Sequence, residues 1–366
     1  MDSTRKTVIS LIKSALYKTK TEIPADFDAE KAKNIICRHS IYGLIVAGLK
    51  NSGLDVPDWL NKKFLSRAVT LENLWYQADN IRKAFDENGI EYIPLKGIVI
   101  KDLYPSPLLR SMSDVDLLIR EKDYRKKIKP LMKRLGYTEG VESDHELHWS
   151  KGDLAIELHK RIIPSYNKDF YKVIGDGWDW VKDNGYEYIF THFAKHYRDR
   201  GIGISHIVDL EILFDRATDE GLKELRLDKF HQNVRRTLDC WFRDKEFDVI
   251  TAKITDTVFD SGEYGTKETY AKSNNLKTVN EVKGNVKKAK RKRFLYFAFP
   301  PYSVMVCRFG SLKRLPFLLP FAWVWRIICA PFKKGKISSN LAQIRAITED
   351  DGYKEDLNAV GLDFWY

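Results

Sequence analysis

Apolar positions recur at helical spacing along the first part of the chain. Val8, Leu11, Ile12, Ala15 and Leu16 fall on one face of a helix, and Leu71, Leu74, Trp75, Ala78, Ile81 and Phe85 on one face of another. The second run stops at Asn88-Gly89, which predicts a C-cap. The period then changes. Tyr92-Ile93-Pro94-Leu95 reads as a short strand, with Pro94 placing it at an edge, and Val115–Ile119 as a second strand. Between them residues 98–104 suit one or two helical turns, and Pro105 and Pro107 mark a loop. Lys122 to Leu135 returns to helical spacing and stops at Gly136. His145–Ser150 and Leu154–His159 read as strands on either side of a hairpin turn at Lys151-Gly152-Asp153. After Pro164 helices are predicted over 184–199, 205–219 and 221–242, and a last one near 338–348.

This order predicts an α+β fold, a small mixed β-sheet with flanking helices between helical N-terminal and C-terminal regions. The expected divisions are a helical region 1–88, a core 89–165 and a second helical region 166–260. A polar, basic and mobile connection follows over 261–293, then an apolar and basic region 294–366 that packs on the core or a membrane surface. No internal repeat is visible.

Composition narrows the class. The 366 residues are 43% hydrophobic and 31% charged, as in ordinary globular proteins. Cys37, Cys240, Cys307 and Cys329 are far apart and form no C-x-x-C pair, which argues against a zinc knuckle, a thioredoxin-like site and a disulfide scaffold. A reducing, cytoplasmic setting follows, and the N-terminus shows no signal-peptide pattern. The net charge of +11 is concentrated late: residues 277–336 hold fifteen Lys and Arg against Glu281 alone, which leaves the rest of the chain at −3.

The chemistry lies in the acids. In the strand Ser113-Asp114-Val115-Asp116-Leu117, alternation sends Asp114 and Asp116 to one side and Val115, Leu117 and Ile119 to the core. Neighbouring carboxylates repel, so such a pair on an apolar strand calls for a cation between them. Mg²⁺ is commonly held by one or two carboxylates plus substrate phosphates. Glu157 is a third isolated acid, sharing a strand face with His159 opposite Leu154, Ile156 and Leu158. Three carboxylates on adjacent strands suit a two-metal site for in-line phosphoryl-type displacement. Taken alone, the D-x-D pattern is also what the wet face of an edge strand looks like.

The combination resembles the nucleotidyltransferase superfamily of the DNA polymerase β type. It is most similar to bacterial nucleotidyltransferase family proteins with the signature L-K-G, R-x-x-S-D-[IV]-D-L-L and E-L-H. Those elements here are Leu95-Lys96-Gly97, Arg110 through Ser113-Asp114-Val115-Asp116-Leu117-Leu118, and Glu157-Leu158-His159. The likeness extends to His192-x-x-Lys195-His196 before Asp209, and to a late block with Phe299-Pro300, Leu318-Leu319-Pro320, Trp323 and Arg326. Gly97 is followed by Ile98, where the wider superfamily has Gly or Ser.

The resemblance implies a nucleotidyltransferase-type sheet and a Mg²⁺-dependent enzyme that moves a nucleoside monophosphate from an NTP such as ATP to an unidentified hydroxyl or phosphate acceptor. It assigns Asp114, Asp116 and Glu157 to catalysis and to the metal. Lys96, Gly97, Arg110 and Ser113 go to the nucleotide, with Gly97 cradling the triphosphate. A non-catalytic binding module of the same fold at a membrane or assembly, and an antitoxin-like enzyme that nucleotidylates a protein, are the other readings.

Other signals carry less. His145-Glu146-Leu147-His148 lacks the spacing and the helix of a zinc protease. His192 and His196 are four apart on a helix, which suits packing or a hydrogen bond to substrate. Residues 315–332 are apolar but hold three prolines and Arg326, so a buried helix or hairpin is expected. Basic residues around that block, including Lys287–Arg293, suit an anionic membrane surface, with peripheral attachment at the inner membrane surface, a phosphate-rich acceptor including nucleic acid, or only a solvated tail.

Overall fold

The apolar stripe of helix Asp58–Glu87 is the foundation of the sheet. Leu71, Leu74, Ala78, Ile81 and Phe85 are buried together with Val115, Leu117, Ile119, Ile156 and Leu158 from one sheet face. That helix ends as the sequence predicts: Gly89 takes a φ of 58°, and the Ile90 amide turns back to the Phe85 carbonyl at 2.9 Å. The computed structural model describes residues 1–165, 167–216, 220–329, 336–347 and 352–362.

Five strands form the sheet: β1 Tyr92–Leu95, β2 Asp114–Ile119, β3 Thr138–Glu142, β4 Glu146–Lys151 and β5 Leu154–His159. Their order is β1-β2-β5-β4-β3, with β2 and β5 parallel and every other neighbour antiparallel. Pro94 sits on the edge strand, where its missing N–H leaves no ladder bond broken on a second side. The β4–β5 hairpin pairs Lys151 with Leu154 across Gly152-Asp153, and Gly152 supplies the positive φ of 60° that the turn requires. β3 is absent from the sequence reading because its residues are mostly exposed and show no alternation.

Helical spacing over 122–135 becomes Glu121–Asp123, a wider π-type turn Tyr124–Ile128, and Lys129–Arg134. Ile128, Leu131 and Met132 from this segment close the same core. The helices expected over 184–199 and 205–219 are Gly185–Asp199 and Ile204–Ile212, and residues 217–219 lie outside the described ones. Asp228–Phe242 and Val249–Ser261 follow; Phe190, Phe193, Tyr197 and Phe230 form one buried aromatic cluster, and Trp241 packs on Phe259.

The chain divides into two compact units, Met1–Thr266 with Ala359–Leu362, and Lys267–Asn358. The polar connection expected over 261–293 is instead two helices of the second unit, Lys267–Glu281 and Val286–Ala298. Sparse apolar groups suffice there because Leu276 and Ala289 are buried, Lys272 pairs with Glu268 one turn away, and Asn285 caps the amide of Lys288. Helix Leu319–Cys329 covers most of the apolar block and has no buried residue, contrary to the expected buried helix; residues 330–335 lie outside the described ones. Among the described residues no helix is long and apolar enough to cross a membrane.

Candidate active site

Strand register builds the second face of the sheet. Asp114 and Asp116 alternate with Val115 and Leu117, so both carboxylates leave on the side away from the apolar core. The parallel register sets Asp116 beside Glu157, and Leu118 beside His159. The antiparallel register of β4 sets His148 beside Glu157, and Glu146 beside His159. Directly paired residues share a face, so three strands place four carboxylates and two imidazoles in one row.

From Asp116 to Glu146 the row is linked by hydrogen bonds and close ion pairs. Lys96 Nζ donates to Asp116 Oδ1 at 2.6 Å, and His159 Nε2 meets the same oxygen at 2.7 Å. The same His159 nitrogen lies 3.6 Å from Glu157 Oε2. His148 bridges Glu157 Oε1 at 3.3 Å and Glu146 Oε1 at 3.2 Å, and His145 Nε2 lies 3.0 Å from Glu146 Oε2. Two triads have ligand atoms within 4.8 Å of one another, Asp116–Glu157–His159 and His145–Glu146–His159.

Charge is distributed unevenly. Burial, then the neighbouring Asp116 and Glu157, push the Asp114 carboxyl up to about 7. Burial also opposes ionisation of Asp116, but the Lys96 ammonium and His159 outweigh it and hold Asp116 well below the usual carboxylate range. Lys96 is kept protonated in return: burial disfavours its charge, and Asp116 overcomes that. A row of acids therefore stands with one ammonium as its main counter-charge.

Lys96 occupies an uncommon backbone conformation, φ 49° and ψ −124°, between β1 and helix Gly97–Ile100. That conformation costs a non-glycine residue about 1–3 kcal/mol and persists only where surrounding structure fixes it. Gly97 is therefore not the residue that makes the turn. Its missing side chain serves another purpose: a Cβ there would collide with Nη1 of Arg110.

Arg110 is not an open fork. It is buried and grips Asp209 of helix Ile204–Ile212 bidentately, Nε to Oδ1 at 3.2 Å and Nη2 to Oδ2 at 2.7 Å. Tyr104 donates to Asp209 Oδ1 at 2.7 Å. The edge that suits a phosphate is closed on a carboxylate, and the clamp ties the 97–113 connection to the following helices. Ser113 is half-buried at the entry to β2.

Helix Gly185–Asp199 adds groups that sequence reasoning did not assign to the site. Tyr188, His192, Lys195 and His196 all lie within the electrostatic reach of Lys96. Burial, reinforced by the Lys96 and Lys195 ammonium groups, depresses His192 and His196 far below the ordinary imidazole value. Burial lowers Lys195 to about 8 and His206 to about 4. His206 stacks near His192, with ring centroids 6.1 Å apart, and His192 lies 4.3 Å from His196. The i, i+4 histidines were the available signal; His206 and Tyr188 carried none.

A family model described as an uncharacterised nucleotidyltransferase matches residues 25–243. The chain belongs to that nucleotidyltransferase family. The matched span contains all five strands, the acidic row, the Arg110–Asp209 clamp and helix Gly185–Asp199, and it ends before the second unit. No curated protein and no solved structure matches the chain. Membership of the family implies an NTP as substrate and nucleotidyl transfer as the class of chemistry.

The residues fit a divalent metal. Carboxylate oxygens from Asp116 and Glu157 converge with an imidazole, a donor set that suits a divalent cation. Two buried polar atoms beside the row, His159 Nδ1 and Tyr188 Oη, have no hydrogen-bond partner among the described residues, as expected where a bound group completes the site.

Proposed function

We propose that this nucleotidyltransferase family member is a Mg²⁺-dependent enzyme that transfers a nucleoside monophosphate from an NTP to a hydroxyl or phosphate acceptor. The observation that supports it is the register placing Asp116 directly beside Glu157, with His159 within ligand distance of both. In the reaction the acceptor oxygen attacks the α-phosphorus, the bond to the bridging β-oxygen breaks, and pyrophosphate leaves.

Asp116 and Glu157, with the His159 imidazole within ligand distance, are the residues that would hold the metal, and Asp114, two positions along β2, would assist them. A divalent cation held there would supply charge neutralisation of the triphosphate and activation of the acceptor oxygen. Glu157, less tightly engaged than Asp116, also takes the acceptor proton. His159 fixes the Asp116 carboxylate in place. Lys96, paired with Asp116 at 2.6 Å, would donate to the phosphate oxygens of a bound nucleotide, and Ser113 is a further phosphate donor. Arg110 acts at one remove, by positioning the strand entry through Asp209. Preorganised charge supplies most of the rate, since phosphoryl-type transfer leaves little covalent work to the protein.

Incubation with each α-labelled NTP and Mg²⁺, followed by separation of labelled products, tests this reading. Transfer or pyrophosphate release by the parent chain and its loss in Asp116→Asn are the expected results. Equal turnover by Asp116→Asn contradicts the mechanism. Tight metal-dependent NTP binding without turnover on any acceptor supports the non-catalytic binding module instead.

A further inference from the structure

Helix Leu319–Cys329 has its polarity inside out. Phe321, Val324, Trp325 and Ile328 follow the i, i+3, i+4, i+7 pattern of one helix face, and they are 70%, 57%, 60% and 57% exposed. Phe317, in the turn just before, is 70% exposed. The opposite side of the helix carries the groups that can hydrogen-bond, and those are turned inward. Trp323 Nε1 donates to the Pro300 carbonyl at 2.8 Å and its ring meets Phe299 edge-on. Arg326 donates to the carbonyls of Phe297 and Ala298. The helix is thus anchored within its own unit by a Trp and an Arg, and it offers solvent a stripe of large apolar side chains.

Scattered exposed hydrophobics are normal, but a contiguous row of this kind marks a surface that something covers. The charge around it says what. Helix Val286–Ala298 runs into the segment that anchors the stripe. On it Lys287, Lys288 and Arg291 are exposed and make no ion pair among the described residues. Its far end carries exposed Phe294, Leu295 and Tyr296. Arg314, just before the stripe, is also exposed. Acids are scarce there: residues 282–329 contain none. Exposed apolar and aromatic side chains beside unpaired Lys and Arg match the boundary between acyl chains and anionic headgroups. A protein partner would have to bring both an apolar groove and a dense acidic patch.

We propose that the second unit docks the chain on an anionic bilayer surface, with Phe317, Phe321, Val324, Trp325 and Ile328 entering the interface and Lys287, Lys288, Arg291 and Arg314 meeting the headgroups. The helix lies along the surface and does not span.

Co-sedimentation of the full chain with vesicles tests it. The parent chain binds mixed phosphatidylserine–phosphatidylcholine vesicles at least ~10-fold more tightly than pure phosphatidylcholine, and added salt weakens the binding. Phe321→Glu with Trp325→Glu abolishes it, whereas Phe321→Leu with Trp325→Leu retains it. Both substituted positions are exposed, and unchanged far-ultraviolet circular dichroism verifies folding. Anionic-vesicle binding that survives Phe321→Glu/Trp325→Glu overturns the proposal. So does a stable oligomer that the Glu substitutions dissociate in a chain that ignores vesicles, because the stripe is then covered by a second copy.

Discussion

Asp209→Asn should destabilise the first unit far more than its single-atom change suggests. Asp209 is 2% exposed and accepts three hydrogen bonds, two from the Arg110 fork and one from the Tyr104 hydroxyl. Asn keeps the shape but removes the charge and turns an N–H₂ toward a donor. Arg110, itself 8% exposed, is then a buried guanidinium without its counter-charge. Breaking a buried pair from one side costs about 3–5 kcal/mol, most of it the penalty on the charge left behind. At a urea dependence of about 3 kcal/mol/M, the midpoint falls by more than about 1 M with an unchanged slope. Urea unfolding followed by circular dichroism reads this shift. Replacing both partners with apolar groups, Arg110→Met with Asp209→Leu, should recover much of the loss, because no charge is then stranded. A loss below about 1 kcal/mol for Asp209→Asn would refute the reasoning, since the pair would then behave as an exposed one.

Further consequences follow from neighbouring geometry. Gly97→Ala places a methyl against the Arg110 guanidinium, which Asp209 prevents from moving aside, so stability falls by about 1–3 kcal/mol; thermal melting checks it. Lys96→Met removes the counter-charge of Asp116, so the metal-free chain melts lower, and added Mn²⁺ raises its melting temperature by more than it does for the parent. His39 is buried, accepts the Ile204 N–H at Nδ1 and bonds the Phe259 carbonyl at 3.0 Å, and burial lowers it to about 4 from 6.5. The unfolded chain therefore takes up the proton first, and stability drops as pH falls from about 6.5 toward 4, by up to about 3 kcal/mol for this one group. His39→Gln should show a shallower slope across that window in urea midpoints taken at successive pH values; an unchanged slope contradicts the assignment.

The acidic row was legible because strands alternate with period two. Asp114, Asp116 and Glu157 stand out as acids opposite Val115, Leu117, Ile156 and Leu158, and Pro94 marks the edge strand. Register was not legible, since the parallel pairing of Asp116 with Glu157 depends on a crossover through β3 and β4, and β3 shows no pattern. Arg110 looked like a phosphate ligand because its partner, Asp209, is far away in sequence. The Lys96–Gly97 turn read naturally as a glycine turn, yet the positive φ falls on lysine. Helices Lys267–Glu281 and Val286–Ala298 were hidden by polar composition, as caps and buried small residues leave little periodicity.

Binding of Mn²⁺ to the full chain, followed by electron paramagnetic resonance of the free ion, tests most directly whether the Asp116–Glu157–His159 convergence is a metal site. The parent chain should remove Mn²⁺ from solution, and a folded Asp116→Asn or Glu157→Gln variant should leave it free. Equal uptake by parent and variants would show that this row of side chains is not where a cation sits.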